Sequence, residues 1–214
     1  MRTRKRKHKY TITIGIVGTN MGVGVTHFAI MLCNYLASKE HCHTAFVDLS
    51  QRRSVDELQR IYDEAGQKIM RREDETLQPC FCMHGVDYYS LKDKHDIVNI
   101  IQLGYEYVVL DMGVFFNGDW IEEIRRCHIR FLVGNCCEWR QKDVRTVLEQ
   151  GIAEMERRRW VYTFFTGCDD IRRRLEKLFR IHMHRIPMEE DPFSLHRCHF
   201  EAFQNMLQEA KKCL

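Results

Sequence analysis

Residues 15–29 read GIVGTNMGVGVTHFA, and this stretch constrains the fold more than any other. The run leading into it, YTITIGIVG, is rich in β-branched residues and ends at Gly18, the pattern of a buried strand. The run leaving it is helical from Thr26 to Ser38. Ala29, Leu32, Cys33 and Leu36 share one stripe, and Phe28, Met31 and Tyr35 widen it. A glycine-rich turn between a strand and a helix is the kind that wraps a phosphate, because its amides and the helix N-terminus face the anion. A phosphate loop carries a lysine directly before its Ser or Thr, in the pattern G-x-x-x-x-G-K-[ST]. Here Gly22, Gly24 and Thr26 are present, and Val25 stands in the lysine's place. Thr26 alone also serves as an ordinary helix N-cap.

The alternation continues along the chain. HTAFVDLS is a second strand ending near Asp48, and Ser54 with Glu57 predicts a capping box ahead of a helix over VDELQRIYDEAG. QKIMRREDETLQP is charged and aperiodic, a surface loop. FCMHGVDYYSL reads as extended and KHDIVNIIQLG as a short helix. YEYVVLDMG is a buried strand breaking at Asp111-Met112-Gly113, with a helix from Asp119 after it. IRFLVGNCC and WVYTFFTG are strands. EWRQKDVRTVLEQGIAEMERR and DDIRRRLEKLF are helices, the second capped by Asp169 or Asp170. RIHMHRIP is a last short strand, and the tail places Phe200, Phe203, Leu207, Ala210 and Leu214 on one stripe. This order predicts an α/β fold, a three-layer, mostly parallel sheet with helices on both faces. With 214 residues, three prolines and no repeat, residues 10–214 are expected to form a single domain behind a basic arm over residues 1–9.

Charge narrows the function classes. The net charge is +3, and Arg2, Arg4, Lys5, Arg6, Lys7 and Lys9 supply six positive charges before Tyr10, so the rest carries −3. Such an arm suits anionic lipid, nucleic acid or plain solvation. The mildly acidic body argues against a nucleic-acid face beyond the arm. No apolar run approaches membrane-spanning length, and the polar start does not read as a secretory signal. The ten cysteines lie largely in apolar periodic runs, so reduced thiols in a cytoplasmic protein are expected. Three Cys/His groupings stand out: His41-Cys42-His43, Cys80-x-Cys82-x-His84 and His196-x-Cys198-His199. None is a C-x-x-C pair, and only the second has the strand spacing that would put its side chains on one face; core packing is the expectation and zinc is not.

Taken together, the loop, Asp48 at the end of the second strand and Asp111 at the end of a later one form a constellation that resembles the MinD/ParA family of deviant-Walker ATPases, of the SIMIBI class. The family's loop reads like K-G-G-x-G-K-T, its second strand ends D-x-D, and its Walker B strand ends in an aspartate. The resemblance spans about Tyr10 to Pro187. It implies ATP or ADP held by Gly22, Val23, Gly24, Val25, Thr26 and His27, with magnesium held by Thr26, Asp48 and Asp111 when nucleotide binds. It also marks departures. Val25 replaces the Walker lysine, Asn20 the signature lysine that reaches across a dimer, and Ser50 the aspartate that positions attacking water. Phosphoryl transfer depends on charge at the γ-phosphate and leaving oxygen, and one such group is worth about 10²–10³ in rate. The expectation is therefore a non-catalytic or very slow protein that positions or regulates a larger assembly.

The degenerate loop resembles the pilus-assembly branch related to TadZ and CpaE, which implies a protein partner, a homodimer, and a location in the cytoplasm or peripherally at the membrane. The alternative is a working ATPase whose missing charges come from a partner. Trp120 and Trp139, placed after the third and fourth core strands, read either as interaction anchors or as residues packed on the sheet. PMEEDPF is a loop near the nucleotide base in the family, with Glu189, Glu190 and Asp191 forming an acidic rim. The C-terminal stripe reads as packing on the sheet, because its polar face mixes acidic and basic residues where a lipid-binding helix favours basic ones.

Overall fold

The computed structural model describes residues 10–64, 80–91, 95–116 and 121–212. Eight strands form one sheet: β1 (Ile12–Gly18), β2 (Thr44–Asp48), β3 (Phe81–Met83), β4 (Val86–Ser90), β5 (Tyr107–Val114), β6 (Ile129–Cys136), β7 (Val161–Gly167) and β8 (Met183–Arg185). Their order is β3-β4-β2-β5-β1-β6-β7-β8. All pairings are parallel except β3–β4, which is an antiparallel hairpin at one edge.

The helices are α1 (Val25–Ser38), α2 (Ser54–Glu64), α3 (His95–Gln102), α4 (Ile121–Arg126), α5 (Gln141–Thr146), α6 (Asp169–Phe179) and α7 (Phe200–Lys212). They divide between two cores, one on each face of the sheet. Ile14, Ile16 and Val109 point toward α1, α2 and α7, where Phe28, Val55 and Phe203 are buried. Val17, Val108 and Leu110 point the other way, toward Ile97 of α3, Ile124 of α4, Val144 of α5 and Leu175 of α6. The central strands are apolar on both faces, and period-2 alternation assigns each residue to one layer. This is the three-layer, mostly parallel architecture that the sequence predicts.

Several local expectations are corrected. FCMHGVDYYS is a hairpin, turned at His84 (φ 51°) and Gly85 (φ 82°), and β4 joins the parallel sheet beside β2. His84 is therefore exposed in the turn and does not share a face with Cys80 and Cys82. The helix expected from Glu138 to Arg158 breaks after α5 into a π-turn over Val147–Gly151 and a 3₁₀ segment over Glu154–Arg159. Gly151 lies against Phe115, where a Cβ would sit 2.4 Å from the ring, and Ile152 is extended. Tertiary contact outweighs helical periodicity there.

Helix caps differ as well. Ser54 is the first helical residue; Arg53 stands outside it at φ 52°. The N-cap of α6 is Cys168, and Asp169 and Asp170 lie in its first turn. β5 does not break at Asp111 but runs on to Val114 through a bulge, because Ile16 pairs with Asp111 while Gly18 pairs with Val114. The arm over residues 1–9, Asp119, Trp120, Leu214 and the whole of the charged loop after α2 lie outside the described residues. Among the described residues every cysteine is free, and no helix is long and apolar enough to cross a membrane.

The C-terminal helix packs as the sequence analysis expects. Phe203, Met206, Leu207 and Ala210 are buried. Phe203 is stacked between Tyr35 and Phe28 of α1.

Candidate functional site

β1 lies between β5 and β6, and the chain leaves β1 to one side for β2 but crosses from β5 to β6 on the other. That reversal is a topological switch point, where α/β sheets bind ligands at strand C-terminal ends. A cavity of about 860 Å³ opens there, walled by the loop from Asn20 to His27, by residues 49–52, by residues 112–114 and by Phe116. All six residues assigned to nucleotide binding, Gly22 to His27, border it.

The loop's backbone is intact. Gly22 (φ 78°) and Gly24 (φ 94°) hold left-handed conformations that side chains resist. A Cβ on Gly24 would also lie 2.6 Å from the Phe165 ring. α1 begins directly after, and its first-turn amides have no intrahelical acceptor. The charge is what is missing. Val25 is only 8 % exposed, and its methyl fills the space over Gly18, together with that of Val23. It is a core residue, not a truncated reach into the cavity.

Below the loop, the Thr26 hydroxyl donates to Asp111 Oδ2 at 2.5 Å, while Asp111 Oδ1 accepts the Gly113 amide at 3.0 Å. The bulge in β5 makes the second bond by turning the Gly113 amide back (φ 68°). Asp111 is fully buried, and burial, with the charge of Asp48 second, pushes its carboxyl up to about 7. Thr26 and Gly113 oppose that shift.

Asp48 faces Asp111 across the β2–β5 register. Its Oδ1 accepts the amide and hydroxyl of Ser50, at 2.9 and 2.6 Å, and its Oδ2 accepts the Val55 amide at 3.1 Å. Asp48 thus ties down the β2–α2 loop and caps α2, the role the sequence gives to Ser54. Burial raises its pKa, and the bonds from Ser50 and Val55 oppose the rise. Ser50 spends its hydroxyl proton on Asp48. Asn20 turns back on its own loop, accepting from Thr19 at 3.0 Å and donating to the Met21 carbonyl at 3.1 Å.

Arg52 borders the cavity, whereas Arg53 pairs with Asp56 at 2.8 Å and donates to Ser90. His27 Nε2 lies 2.8 Å from the Glu189 carbonyl, with its ring edge-on to Phe165. The acidic rim expected of Glu189, Glu190 and Asp191 is corrected at its first member. Glu189 is buried, accepts the His196 amide at 2.8 Å, and pairs with the His196 and His199 rings. Burial, the largest single influence on its carboxyl, raises the pKa, but the bonds from His196 and the proximity of His199 together bring it below the usual carboxylate value. These contacts also disperse the His196-x-Cys198-His199 grouping. Trp139 stands 79 % exposed in the turn before α5, so the packed reading fails for it.

The group this fold implies is a magnesium nucleotide. Thr26 and Asp111 present a hydroxyl and a carboxylate, hard oxygens that suit magnesium, beside a glycine-rich loop at a helix N-terminus, which suits phosphate. When bound, magnesium would supply cationic charge at the terminal phosphates. Asp48 stands beside them, its two oxygens accepting from Ser50 and Val55 as those of Asp111 accept from Thr26 and Gly113. Sequence reasoning missed Phe165, Leu49, Met112 and Phe116.

Sheet order, loop position and the Thr26–Asp111 pair define a P-loop NTPase fold, and it is the fold of the MinD/ParA ATPases. A chain of the Aquifex aeolicus MinC:MinD cell division protein complex matches with a TM-score of 0.59 at 16% identity, over 94% of this chain and 95% of that one. A putative plasmid partition protein of Borrelia burgdorferi, bound to AMPPNP, matches at 0.61 and 13%, over 96% and 100%. A ParA family ATPase of Chlorobium tepidum matches at 0.56 and 15%, over 96% and 94%. No family model matches the chain, and no curated protein does.

Proposed function

We propose that this protein is a MinD/ParA-type switch that binds magnesium nucleotide with little or no hydrolysis and acts by positioning or regulating a larger assembly. One observation carries the reading. The loop geometry and the Thr26–Asp111 pair are kept, while the position of the catalytic lysine is filled by a valine packed into the core. Binding needs amides and magnesium; turnover needs charge at the γ-phosphate, and the Val25, Asn20 and Ser50 side chains provide none there.

The Borrelia structure, solved with AMPPNP, supports nucleotide as the ligand. The MinC:MinD structure supports a protein partner. Met21 and Phe116 at the cavity mouth, both more than half exposed, fit a partner or a second copy covering the loop. Pilus or secretion machinery is the assembly we favour, on the resemblance of the loop alone.

Thermal melting with ATP and ADP, with and without magnesium, tests the binding half. The expected result is a magnesium-dependent rise in melting temperature that Thr26→Ala removes; a ligand at 100 times its Kd adds about 2.7 kcal/mol. No shift at millimolar nucleotide would leave the loop a structural turn and end this reading.

A further inference from the structure

At the end of the sheet opposite the phosphate loop, three side chains converge on one point. His182 and His184 flank Met183 at the start of β8, two residues apart, and Glu209 comes from the last turns of α7. One ligating atom from each lies within 4.8 Å of the other two. Among the described residues this is the one such group, and none of the three Cys/His groupings in the sequence contains it. His184 Nε2 and Glu209 Oε2 are 2.8 Å apart, and the two imidazole centroids are 4.6 Å apart.

We propose that His182, His184 and Glu209 bind a zinc-class divalent cation that ties the edge strand β8 to the C-terminal helix. Two imidazoles and one carboxylate form a donor set for zinc and its first-row neighbours; calcium and magnesium prefer all-oxygen shells. Ligands at about 2.0–2.2 Å from one ion lie about 3.3 Å apart in a tetrahedron. The His184–Glu209 pair is already near that separation. His182, 57 % exposed, has room to turn in.

The surroundings fit as well. His182 Nδ1 lies 3.1 Å from Glu176 Oε1, which leaves Nε2 as the ligating atom. A carboxylate on the far nitrogen is the arrangement that orients metal-bound histidines. Glu176 is itself fixed, accepting Arg172 at 2.8 Å and the Met183 amide at 2.8 Å. Because β8 ends the strand order, the ion would cover a sheet edge. It would also pin α7, whose inner face packs on α1.

The test is a Co²⁺ titration of the full chain after chelator treatment, read by visible absorption and melting temperature. The expected result is about one equivalent per chain with the intense bands of a four-coordinate site, displaced by Zn²⁺, with a higher melting temperature. His182→Ala and Glu209→Gln should each weaken binding by at least the roughly 10–100-fold that changing a hydrogen-bonding partner of a metal ligand costs. A His41→Ala/Cys42→Ser control should leave it unchanged. His182 is exposed, so its removal spares the fold, which circular dichroism verifies. Absence of Co²⁺ bands, a thiolate charge-transfer band, or equal binding by His182→Ala would each overturn the site and leave the trio an ion pair.

Discussion

Asp111→Asn is expected to stabilise the nucleotide-free protein at neutral pH by up to about 4 kcal/mol. The carboxyl sits at about 7 when folded, against an ordinary 3.8, because it is buried beside Asp48. The folded state thus holds a proton through a range in which the unfolded chain has released it. The native state binds more protons there, so stability falls as pH rises from about 4 to about 7, and the full penalty remains above that. Roughly three pH units at about 1.4 kcal/mol each set the upper limit. Asparagine keeps the shape and never ionises. Urea melts of both proteins should diverge near pH 8 and converge near pH 4. An equal gap at both would show that burial does not govern this carboxylate. The same change removes a magnesium partner, so the nucleotide-dependent rise in melting temperature should vanish with it.

Phe203→Ala is expected to cost about 3–5 kcal/mol. Its ring is fully buried, 5.5 Å from that of Tyr35 at 17° and 6.1 Å from that of Phe28 at 21°. Removing it leaves a cavity beneath α1, the helix that begins at the phosphate loop. Denaturant melts of the variant measure the loss, and flotation with anionic vesicles measures lipid binding. A loss below about 1 kcal/mol, or wild-type flotation abolished by the change, would return α7 to the membrane reading that its amphipathic stripe also permits.

The parts of this fold legible in the sequence are those fixed by local rules. Glycines and helical spacing placed the loop and α1; β-branched apolar runs placed β1, β2 and β5, with Asp48 at the end of β2 and Asp111 inside β5 rather than at its end. What was not legible depends on contacts between distant residues. Nothing near Asp48 indicates that it would cap α2 through Val55. Nothing near Gly113 announces a bulge, because the bulge exists only relative to β1. The helix after Glu138 breaks because Gly151 meets Phe115, 36 residues earlier in the chain. The run EED reads as an exposed rim, yet Glu189 is drawn inward by two histidines that follow it. The hairpin turn at His84-Gly85 did carry a signal, a glycine between two β-rich runs. Val25 could be read from the sequence only as an apolar residue in the lysine's place; its packing over Gly18 needed the structure.

The central claim is that this loop keeps the geometry of phosphate binding without the chemistry of phosphoryl transfer. Phosphate release from ATP with magnesium, wild type beside Thr26→Ala, tests it most directly. The account predicts that the two proteins release phosphate at the same background rate. Magnesium-dependent turnover by the wild type that Thr26→Ala abolishes would contradict it, and would mean that Arg52 or a second copy supplies the charge that Val25 does not.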